Sequence, residues 1–457
     1  MSMQYHQRTR FGRIPAFVIG CVLFSGLAFA GDSWTSFQNG GSTSIQCRGL
    51  PTQWSPERGI AWSASLPGYG QSSPVVWKGR VFVTAIDGDR KEHCYILALE
   101  VKTGKLLWKR KLTATVQQKN SYMVSRAAPT PVVDENALYV LFESGDLHAF
   151  THEGKQKWKL ALFENNKAFK NGHGYGSSPT QTDDAVIILI DHRGPSSLLA
   201  ISKKTGKPVW KTSRTSRSSW TSPQVTRIGK RQQIVVSSTG TVDGYDAKTG
   251  KQLWSHRGLS GNTIPSVTVR GDLVFVGAGV SQRQPSSTKT TASNCCLRIT
   301  PDVKPGYRLL WKAQKGWCHY VSPLVHRGKV YYVNRVGAVH CLDARTGKHL
   351  NVKRMSSPCW AQPIACDNRI FLFHKDGTTT VFEHGSAMRK LASNRLWKAD
   401  APPLPDRNYD YEPQGPKDTR PAKPARSYLD PLVYGVVAID HTFVVRIGTH
   451  LYCVSSN

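Results

Sequence analysis

The feature that most constrains this fold is a short phrase that recurs along the chain. Its clearest copy, at 244–254, reads Gly-Tyr-Asp-Ala-Lys-Thr-Gly-Lys-Gln-Leu-Trp. Asp246 can bond back onto its own backbone to begin a turn, and Gly250 can supply a positive φ in that turn without steric cost. Trp254 then opens the next strand with a large ring to bury. Each copy therefore predicts two strands joined by a tight turn, followed by a buried tryptophan.

Copies of the phrase, or of its tryptophan alone, follow one another at intervals of 40 to 57 residues. They place these residues in equivalent positions: Trp62, Trp108, Trp158, Trp210, Trp254, Trp311, Asn351 and Trp397. A second signal, a proline ahead of a β-branched run, opens each unit at Pro74, Pro131, Pro179, Pro223, Pro265, Pro323, Pro363 and Pro431. Repeats of this length built from short strands indicate propeller blades, and both signals count eight of them.

The two ends of the repeat region complete one another. Residues 59–66 form a predicted strand around Trp62 with no unit before it, whereas 431–454 supply strands but no final tryptophan strand. The sequence therefore predicts an all-β, eight-bladed β-propeller of four-stranded antiparallel blades, closed by an N-terminal strand that completes the C-terminal blade. This single domain spans 59–457. We expect an irregular N-terminal extension at 31–58, a flexible insertion at 281–294 and a Pro-rich loop at 399–430.

The first thirty residues have the composition of an export signal. Three arginines precede the apolar run 14–29, which ends in Ala28-Phe29-Ala30. A basic region, an apolar region and a small-x-small site are typical of a signal peptide cleaved after Ala30. A lipoprotein-type box ending at Cys21 and an uncleaved anchor are the alternatives. In each case we expect an exported, periplasmic or secreted protein, with no later segment apolar enough to span a membrane.

Composition bounds the partners. The chain carries 61 Lys and Arg against 30 Asp and Glu, a net charge of +31, and removal of the three leader arginines leaves +28. Such a charge favours anionic partners, here an envelope protein or an anionic polysaccharide or surface, and export argues against nucleic acid. Propeller geometry places turn and first-hairpin cations on one face: Lys78, Arg80, Lys105, Lys155, Lys207, Arg227, Lys230, Arg231, Lys251, Arg327, Lys329 and Lys348. A merely solvated basic face is the alternative, and we expect a monomer.

Nine of the ten cysteines follow the leader, so at least one of them cannot pair within the chain. Cys341 and Cys453 occupy matching places in their units and are predicted to be small buried hydrophobic residues. Cys318 and Cys359 each precede a unit start in neighbouring units, so a disulfide between them is an alternative to free thiols. No metal-ligand spacing is present.

The proline-opened strand, the Asp-x-x-Thr-Gly-Lys turn and the following Trp resemble the pyrroloquinoline-quinone-type propeller repeat, over residues 59–454. That family includes quinoprotein dehydrogenases and the barrel-assembly lipoprotein of bacterial outer membranes. The resemblance implies that the repeat tryptophans pack between blades, which assigns structural roles to Trp62, Trp108, Trp158, Trp210, Trp254, Trp311 and Trp397.

The resemblance also raises the question of a cofactor. The dehydrogenases hold the quinone over the ring axis with calcium, carboxylate ligands and a disulfide between adjacent cysteines. Cys295 and Cys296 are adjacent here, but they lie in the fifth unit, and the carboxylate set is not evident. The sequence therefore favours no cofactor, no metal and no catalytic residue. A quinone-dependent oxidoreductase of alcohols or aldose sugars, with calcium, is the alternative.

A propeller also gathers the segments that lead into its blades, and the loops between second and third strands, onto one face. The candidate ligand residues there are Tyr69, Arg126, His173, Tyr175, Asp191, Arg193, Trp220, His319, Tyr320, Asn334, Arg335 and Trp360. Aromatic and basic groups that converge on a shallow funnel are typical of a ligand site. The alternative is that these rings only fill the axis. The sequence thus predicts an exported, non-catalytic binding or scaffolding module.

Overall fold

Eight antiparallel sheets are arranged as the blades of a propeller. The computed structural model describes residues 1, 33–47, 49–120, 124–163, 169–279, 288–403 and 432–456. In seven sheets the four blade strands follow chain order from the innermost to the outermost. The predicted all-β, eight-bladed architecture is therefore confirmed. Among the described residues, no helix has the length and apolar character needed to cross a membrane.

The strands of the first four blades are short and regular. Blade 1 contains Val75–Trp77, Arg80–Asp87, His93–Glu100 and Leu106–Thr113. Blade 2 contains Val132–Val133, Leu138–Leu141, Asp146–Phe150 and Gln156–Ala161. Blade 3 contains Thr180–Gln181, Ala185–Ile190, Ser196–Ser202 and Pro208–Arg214. Blade 4 contains Gln224–Ile228, Arg231–Ser238, Thr241–Asp246 and Gln252–Arg257.

The remaining blades repeat the pattern. Blade 5 contains Thr268–Arg270, Leu273–Val276, Cys295–Ile299 and Tyr307–Lys312, with the short helix Thr288–Ala292 before its third strand. Blade 6 contains Leu324–His326, Lys329–Val333, Ala338–Asp343 and His349–Arg354. Blade 7 contains Ile364–Cys366, Arg369–Phe373, Thr378–Glu383 and Lys390–Arg395. Blade 8 contains Val433–Ile439, Thr442–Ile447 and His450–Ser455.

The ring closes through its N-terminal strand. Ile60–Ser65 pairs antiparallel with His450–Ser455 and becomes the fourth strand of blade 8, with Trp62 opposite Cys453. This pairing removes the open edge that blade 8 would otherwise present. The predicted mode of closure is confirmed.

The blades divide the surface into two faces. The lead-in segments, which connect the outermost strand of one blade to the innermost strand of the next, lie on one face, here called the funnel face. The first hairpins and the turns between third and fourth strands lie on the opposite face, here called the turn face. Each innermost strand therefore runs from the funnel face to the turn face.

Neighbouring blades dock through the repeated phrase. Trp210 of blade 3 donates from Nε1 to the carbonyl of Ala247, in the turn between the third and fourth strands of blade 4, at 3.2 Å. Its ring covers Gly250, which has a φ of 71°. A Cβ added at Gly250 would lie 2.4 Å from the ring, so the turn requires glycine for conformation and for space. Tryptophans 62, 108, 158 and 311 make the same Nε1 hydrogen bond to the next blade, at 2.8–3.0 Å.

Two positions achieve the docking by other means. Trp254 donates from Nε1 to Gln233 Oε1 of its own blade at 3.1 Å, while its ring packs against Gly306 of blade 5. Asn351 replaces tryptophan in blade 6 and donates from Nδ2 to the carbonyl of Ser386, in blade 7, at 2.8 Å. The shorter side chain thus keeps the inter-blade hydrogen bond without the buried ring.

The assignment of Trp397 to the repeat position was wrong. In blade 7 the equivalent register position, opposite Val381, is Ala392. Trp397 lies after the outermost strand of that blade, which ends at Arg395. It is nevertheless buried, and its ring lies 6.1 Å from that of Tyr452 in blade 8. A tryptophan still fills the space between these two blades, but it comes from the following loop.

The N-terminal extension contains two short strands. Residues 33–47, here called the strap, follow the axis side of the innermost strands at the turn face. Ser33–Trp34 pairs antiparallel with the innermost strand of blade 1, and Ser44–Ile45 pairs in parallel with that of blade 7. Between these strands, the carbonyl of Thr35 accepts from Val133 at 2.9 Å. The strap therefore adds a fifth strand to two blades and crosses the central channel of the ring at the turn face.

Polar contacts fix the second half of the strap. The carbonyl of Gly41 accepts from the backbone of Val269 in blade 5 at 3.2 Å. The hydroxyl of Ser44 lies 2.7 Å from Nδ1 of His326 in blade 6. The strap thus contacts blades from both halves of the ring, so it ties together elements that are distant in sequence.

A disulfide between Cys47 and Cys366 locks the end of the strap to blade 7, across a sequence separation of 319 residues. The alternative pairing of Cys318 with Cys359 was wrong, because both are free buried thiols. Cys341 and Cys453 are also free and buried, as predicted. Cys295 and Cys296 are free and buried in the third strand of blade 5.

Removing the disulfide should destabilise the protein by about 2–5 kcal/mol, the usual effect of losing a native disulfide. The measurement is guanidinium unfolding of the double variant Cys47→Ala with Cys366→Ala. A reducing agent should lower the stability of the wild type by a similar amount and leave the double variant unchanged. Equal sensitivity of both proteins to reductant would contradict a stabilising role for this bond.

Several sequence expectations lie outside the described residues. These are the signal peptide with its alternatives at Ala30 and Cys21, residues 281–287 of the insertion at 281–294, and most of the Pro-rich loop at 399–430. The short helix Thr288–Ala292 occupies the described end of the insertion.

Candidate functional site

A funnel opens on the ring axis at the funnel face. It encloses a cavity of about 560 Å³, within the range of small-molecule sites. Its wall is built by lead-in residues of all eight blades: Gln71, Val124, Ser125, Ala128, His173, Gly176, Trp220, Ile264, His319, Tyr320, Trp360, Leu432 and Tyr434. Because the strap crosses the channel at the turn face, ligands can reach the cavity from the funnel face.

One side of the funnel is a continuous series of aromatic rings from blades 6, 7 and 8. The ring centroids of Tyr320 and Trp360 are 4.8 Å apart, and those of Trp360 and Tyr434 are 6.1 Å apart. The hydroxyl of Tyr434 in turn lies 2.6 Å from that of Tyr69. These rings are only half-buried, apart from Tyr69, which is fully buried. Tyr320, Trp360 and Tyr434 therefore line this wall of the cavity.

The opposite side, from blades 3 and 4, carries a second ring pair. His173 and Trp220 are 5.8 Å apart between centroids, and Nε1 of Trp220 donates to the carbonyl of Gly174 at 2.9 Å. The polar edge of the indole is thus bound to the protein. What remains for a ligand is the electron-rich ring face, which attracts partially positive C–H bonds.

Two guanidinium groups lie behind the aromatic wall. Arg126 is placed over the ring of Tyr69, 3.4 Å from its centroid. Arg446 is fully buried and donates to the carbonyls of Ile447 and Gly448 at 3.0 and 3.2 Å. Among the described residues Arg446 forms no ion pair, and its NH1 group has no hydrogen-bond partner.

The charge of Arg446 is retained at neutral pH. Burial lowers the pKa of Arg446 to about 9, and the nearby hydroxyls of Tyr69 and Tyr434 oppose that shift. Burial, with a contribution from Arg335, lowers the pKa of His319 to about 4, so this imidazole is neutral at pH 7. The wall is therefore uncharged at its surface and cationic behind it.

The predicted ligand residues separate into two groups. Five of them line the cavity: His173, Trp220, His319, Tyr320 and Trp360. The others do not: Tyr69, Arg126, Tyr175, Asp191 and Asn334 are buried, Arg335 is half-buried and Arg193 is exposed. The cavity residues Gln71 and Tyr434 were not predicted from the sequence. Gln71 comes shortly before Pro74 and Tyr434 shortly after Pro431, and these prolines are the signal that could have identified them.

Asp191 belongs to a buried ion-pair network between blades 3 and 4. Its carboxylate accepts from Nε of Arg214 at 2.9 Å and from the hydroxyl of Ser238 at 2.6 Å. Arg214 also approaches Asp243 at 3.4 Å. Protein groups occupy the oxygens of these carboxylates. The carboxylates therefore hold two blades together and do not face a ligand.

The described residues do not match the quinone site that the resemblance implied. No carboxylate or cationic side chain lines the described cavity wall. The one described group with the geometry of a metal site is Cys47, Cys366 and Asp367, in which both sulfurs form the disulfide. Cys295 and Cys296 are free thiols buried within blade 5, and neither lines the described cavity wall.

The turn face has a concentration of cations on blades 3 and 4. Six exposed residues, here called the basic patch, have no ion-pair partner among the described residues: Lys204, Lys207, Lys230, Arg231, Lys248 and Lys251. The neighbouring acids are mostly occupied. Asp183 pairs with Arg227 at 2.7 Å, and Asp246 accepts hydrogen bonds within its own turn. Asp184 is exposed and forms no ion pair among the described residues.

Two other predicted cations of the turn face are paired. Arg80 pairs with Glu153 at 3.3 Å, and Lys329 approaches Asp343 at 3.6 Å. Further exposed cations on blades 1, 2 and 6 form no ion pair among the described residues: Lys78, Lys105, Lys155, Arg327 and Lys348. The basic face predicted from the sequence is therefore extended, and the basic patch is its part on blades 3 and 4.

Comparison with known proteins gives the same fold. The family profile described as outer membrane protein assembly factor BamB matches residues 46–194, 169–294 and 304–415. No curated protein matches the sequence significantly.

Among solved structures, BamB from Moraxella catarrhalis is similar with a TM-score of 0.57 and 11% identity, over 87% of this chain and 97% of that one. A europium-containing methanol dehydrogenase has a TM-score of 0.59 and 12% identity, over 92% of this chain and 90% of that one. Quinohemoprotein alcohol dehydrogenase from Comamonas testosteroni has a TM-score of 0.57 and 12% identity, over 92% and 80% of the two chains. At these identities the likeness concerns the fold alone.

Proposed function

This chain belongs to the family described as outer membrane protein assembly factor BamB, and from that premise we propose that it is an exported, non-catalytic propeller that binds or scaffolds an envelope protein. The observation that carries the proposal is the chemistry of the funnel. Its described wall offers aromatic faces and neutral polar groups, but no carboxylate that could act as a base or hold calcium.

A quinone-dependent oxidoreductase is the rival function, since two dehydrogenases share the fold. Reconstitution with pyrroloquinoline quinone and Ca²⁺ separates the two. We expect no bound-cofactor absorbance and no dye reduction with alcohols or aldose sugars. Turnover that depends on both quinone and calcium would replace the proposal by the rival.

The basic patch is the surface that we assign to the protein partner. Six exposed cations without described ion-pair partners create a local positive field, which attracts a partner with an acidic surface and speeds its association. Val209 and Leu253 lie on the outermost strands of the same two blades and are 57% and 42% exposed. They add apolar area beside the charges, which a protein partner can bury.

Reversing the charge of the patch should abolish partner capture. The variant combines Lys204→Glu, Lys207→Glu, Lys248→Glu and Lys251→Glu, and the measurement is quantitative recovery of proteins from an envelope extract on the immobilised propeller. The control reverses four other exposed cations on outermost strands of blades 1, 6 and 7: Lys109, Lys111, Lys353 and Lys390.

We expect the patch variant to lose at least tenfold of the captured partner and the control to retain it. Capture by the wild type should fall as salt is raised from 50 to 300 mM, because exposed charges are screened beyond about 8 Å at physiological ionic strength. Equal losses from the two variants, or capture that ignores salt, would reject the patch as the partner site.

A further inference from the structure

The funnel and the basic patch lie on opposite faces, so the funnel is available for a second ligand. We propose that the funnel binds a carboxylate-bearing carbohydrate, such as the end of a uronic-acid polysaccharide, with its sugar rings stacked on Trp360 and Trp220. This inference goes beyond the proposed protein scaffold, since it concerns a different face and a different class of ligand.

Aromatic residues line two sides of the cavity. Trp360, with Tyr320 and Tyr434, forms one wall, and Trp220 forms the other, across the axis in blade order. The polar edge of Trp220 and the hydroxyl of Tyr434 are bound to protein atoms, at 2.9 and 2.6 Å. A ligand therefore meets ring faces. The C–H faces of pyranose rings carry partial positive charge and match the negative face of an aromatic ring.

Neutral polar groups also line the cavity. Gln71 uses Oε1 to accept from the backbone of Arg126 at 2.9 Å, which orients its amide and leaves the NH₂ group as a donor without a described partner. His319 is neutral and adds a donor or an acceptor according to its tautomer. Neutral amide and imidazole groups suit hydroxyl groups, which donate and accept at the same atom.

A buried positive charge lies behind one wall of the funnel. Arg446 stays cationic behind Tyr69 and Tyr434, and no described carboxylate neutralises it. In a weakly polarisable interior its field reaches further than in water. A ligand with one carboxylate at that side of the funnel complements this charge, whereas a neutral sugar of the same shape does not.

The test is isothermal titration calorimetry with trigalacturonic acid and with its fully methyl-esterified form, which has the same rings without the charge. We expect the acid to bind at least tenfold more tightly than the ester. The variants Trp360→Ala and Trp220→Ala should each weaken binding of the acid at least tenfold. The control Trp317→Ala removes a half-buried ring that packs on His340, outside the cavity, and should change binding less than twofold.

Other results would overturn the inference. If neither sugar bound, the funnel would not be a carbohydrate site. If the acid and the ester bound equally well, the carboxylate would have no part in recognition. If the charge-reversed patch variant lost sugar binding while Trp360→Ala retained it, the sugar site would lie on the turn face. Displacement of the sugar by pyrroloquinoline quinone would reassign the cavity to a quinone. Partner capture through the patch does not depend on Trp360, so the two proposals fail separately.

Discussion

Deleting residues 31–66 is expected to abolish cooperative folding. The deletion removes the strap, the disulfide through Cys47 and the strand Ile60–Ser65 that closes blade 8. Blade 8 would then present an unpaired edge, His450–Ser455, which is a template for aggregation. We expect loss of a single sharp unfolding transition by circular dichroism and accumulation of large species on size-exclusion chromatography.

The matched control deletes 2–30 and keeps the strap and the closing strand. The protein without residues 2–30 should remain monomeric and unfold in one transition. If the longer deletion gave a soluble monomer with an unchanged melting transition, the ring would close by another route, and the paired edge of blade 8 would have no role in stability.

Replacing Trp254 by alanine is expected to lower the free energy of unfolding by about 3–5 kcal/mol, the usual effect of truncating a buried tryptophan. Its side chain is 4% exposed, packs against Tyr307 at 5.6 Å between centroids and donates to Gln233. The truncation removes the contact between blades 4 and 5 and leaves the carboxamide of Gln233 without its donor. Guanidinium unfolding monitored by circular dichroism measures the change.

The neighbouring residue supplies the control. Leu253 lies on the same strand but points outward and is 42% exposed. The variant Leu253→Ala should change stability by less than about 0.5 kcal/mol, as surface substitutions usually do. A near-neutral Trp254→Ala would mean that the ring does not hold the blades together, and would return this tryptophan to the class of binding residues.

The candidate site was predictable only in part, and particular residues show why. The segments that lead into the blades were evident from their prolines, so His173, Trp220 and Trp360 could be placed near the axis. Whether a lead-in side chain faces the cavity or the core depends on its backbone direction. Tyr175 points into the core and donates to the carbonyl of Leu189 at 2.9 Å. That direction has no signature in composition or spacing.

The contacts of the buried charged residues were harder to predict from the sequence than the cavity residues. Asp191 was predicted to face a ligand because it follows the second strand of its blade. Its partner Arg214 lies 23 residues later and is, in the sequence, one basic residue among many. Their pairing at 2.9 Å depends on the packing of blades 3 and 4. Arg446 similarly acquires its role because the last blade meets the first across the closure, beside Tyr69.

The sequence by itself determined the repeat: eight blades, their antiparallel strands, the closure by the strand predicted at 59–66 and the position of most repeat tryptophans between blades. These features depend on contacts within a blade or with the next one. The residues of each copy of the phrase are therefore sufficient to predict them. The tertiary structure alone decided the strap, the pairing of Cys47 with Cys366, the cavity wall and the unpaired cations of blades 3 and 4. Those features join residues that are far apart in the chain, and their contacts exist only after the ring has closed.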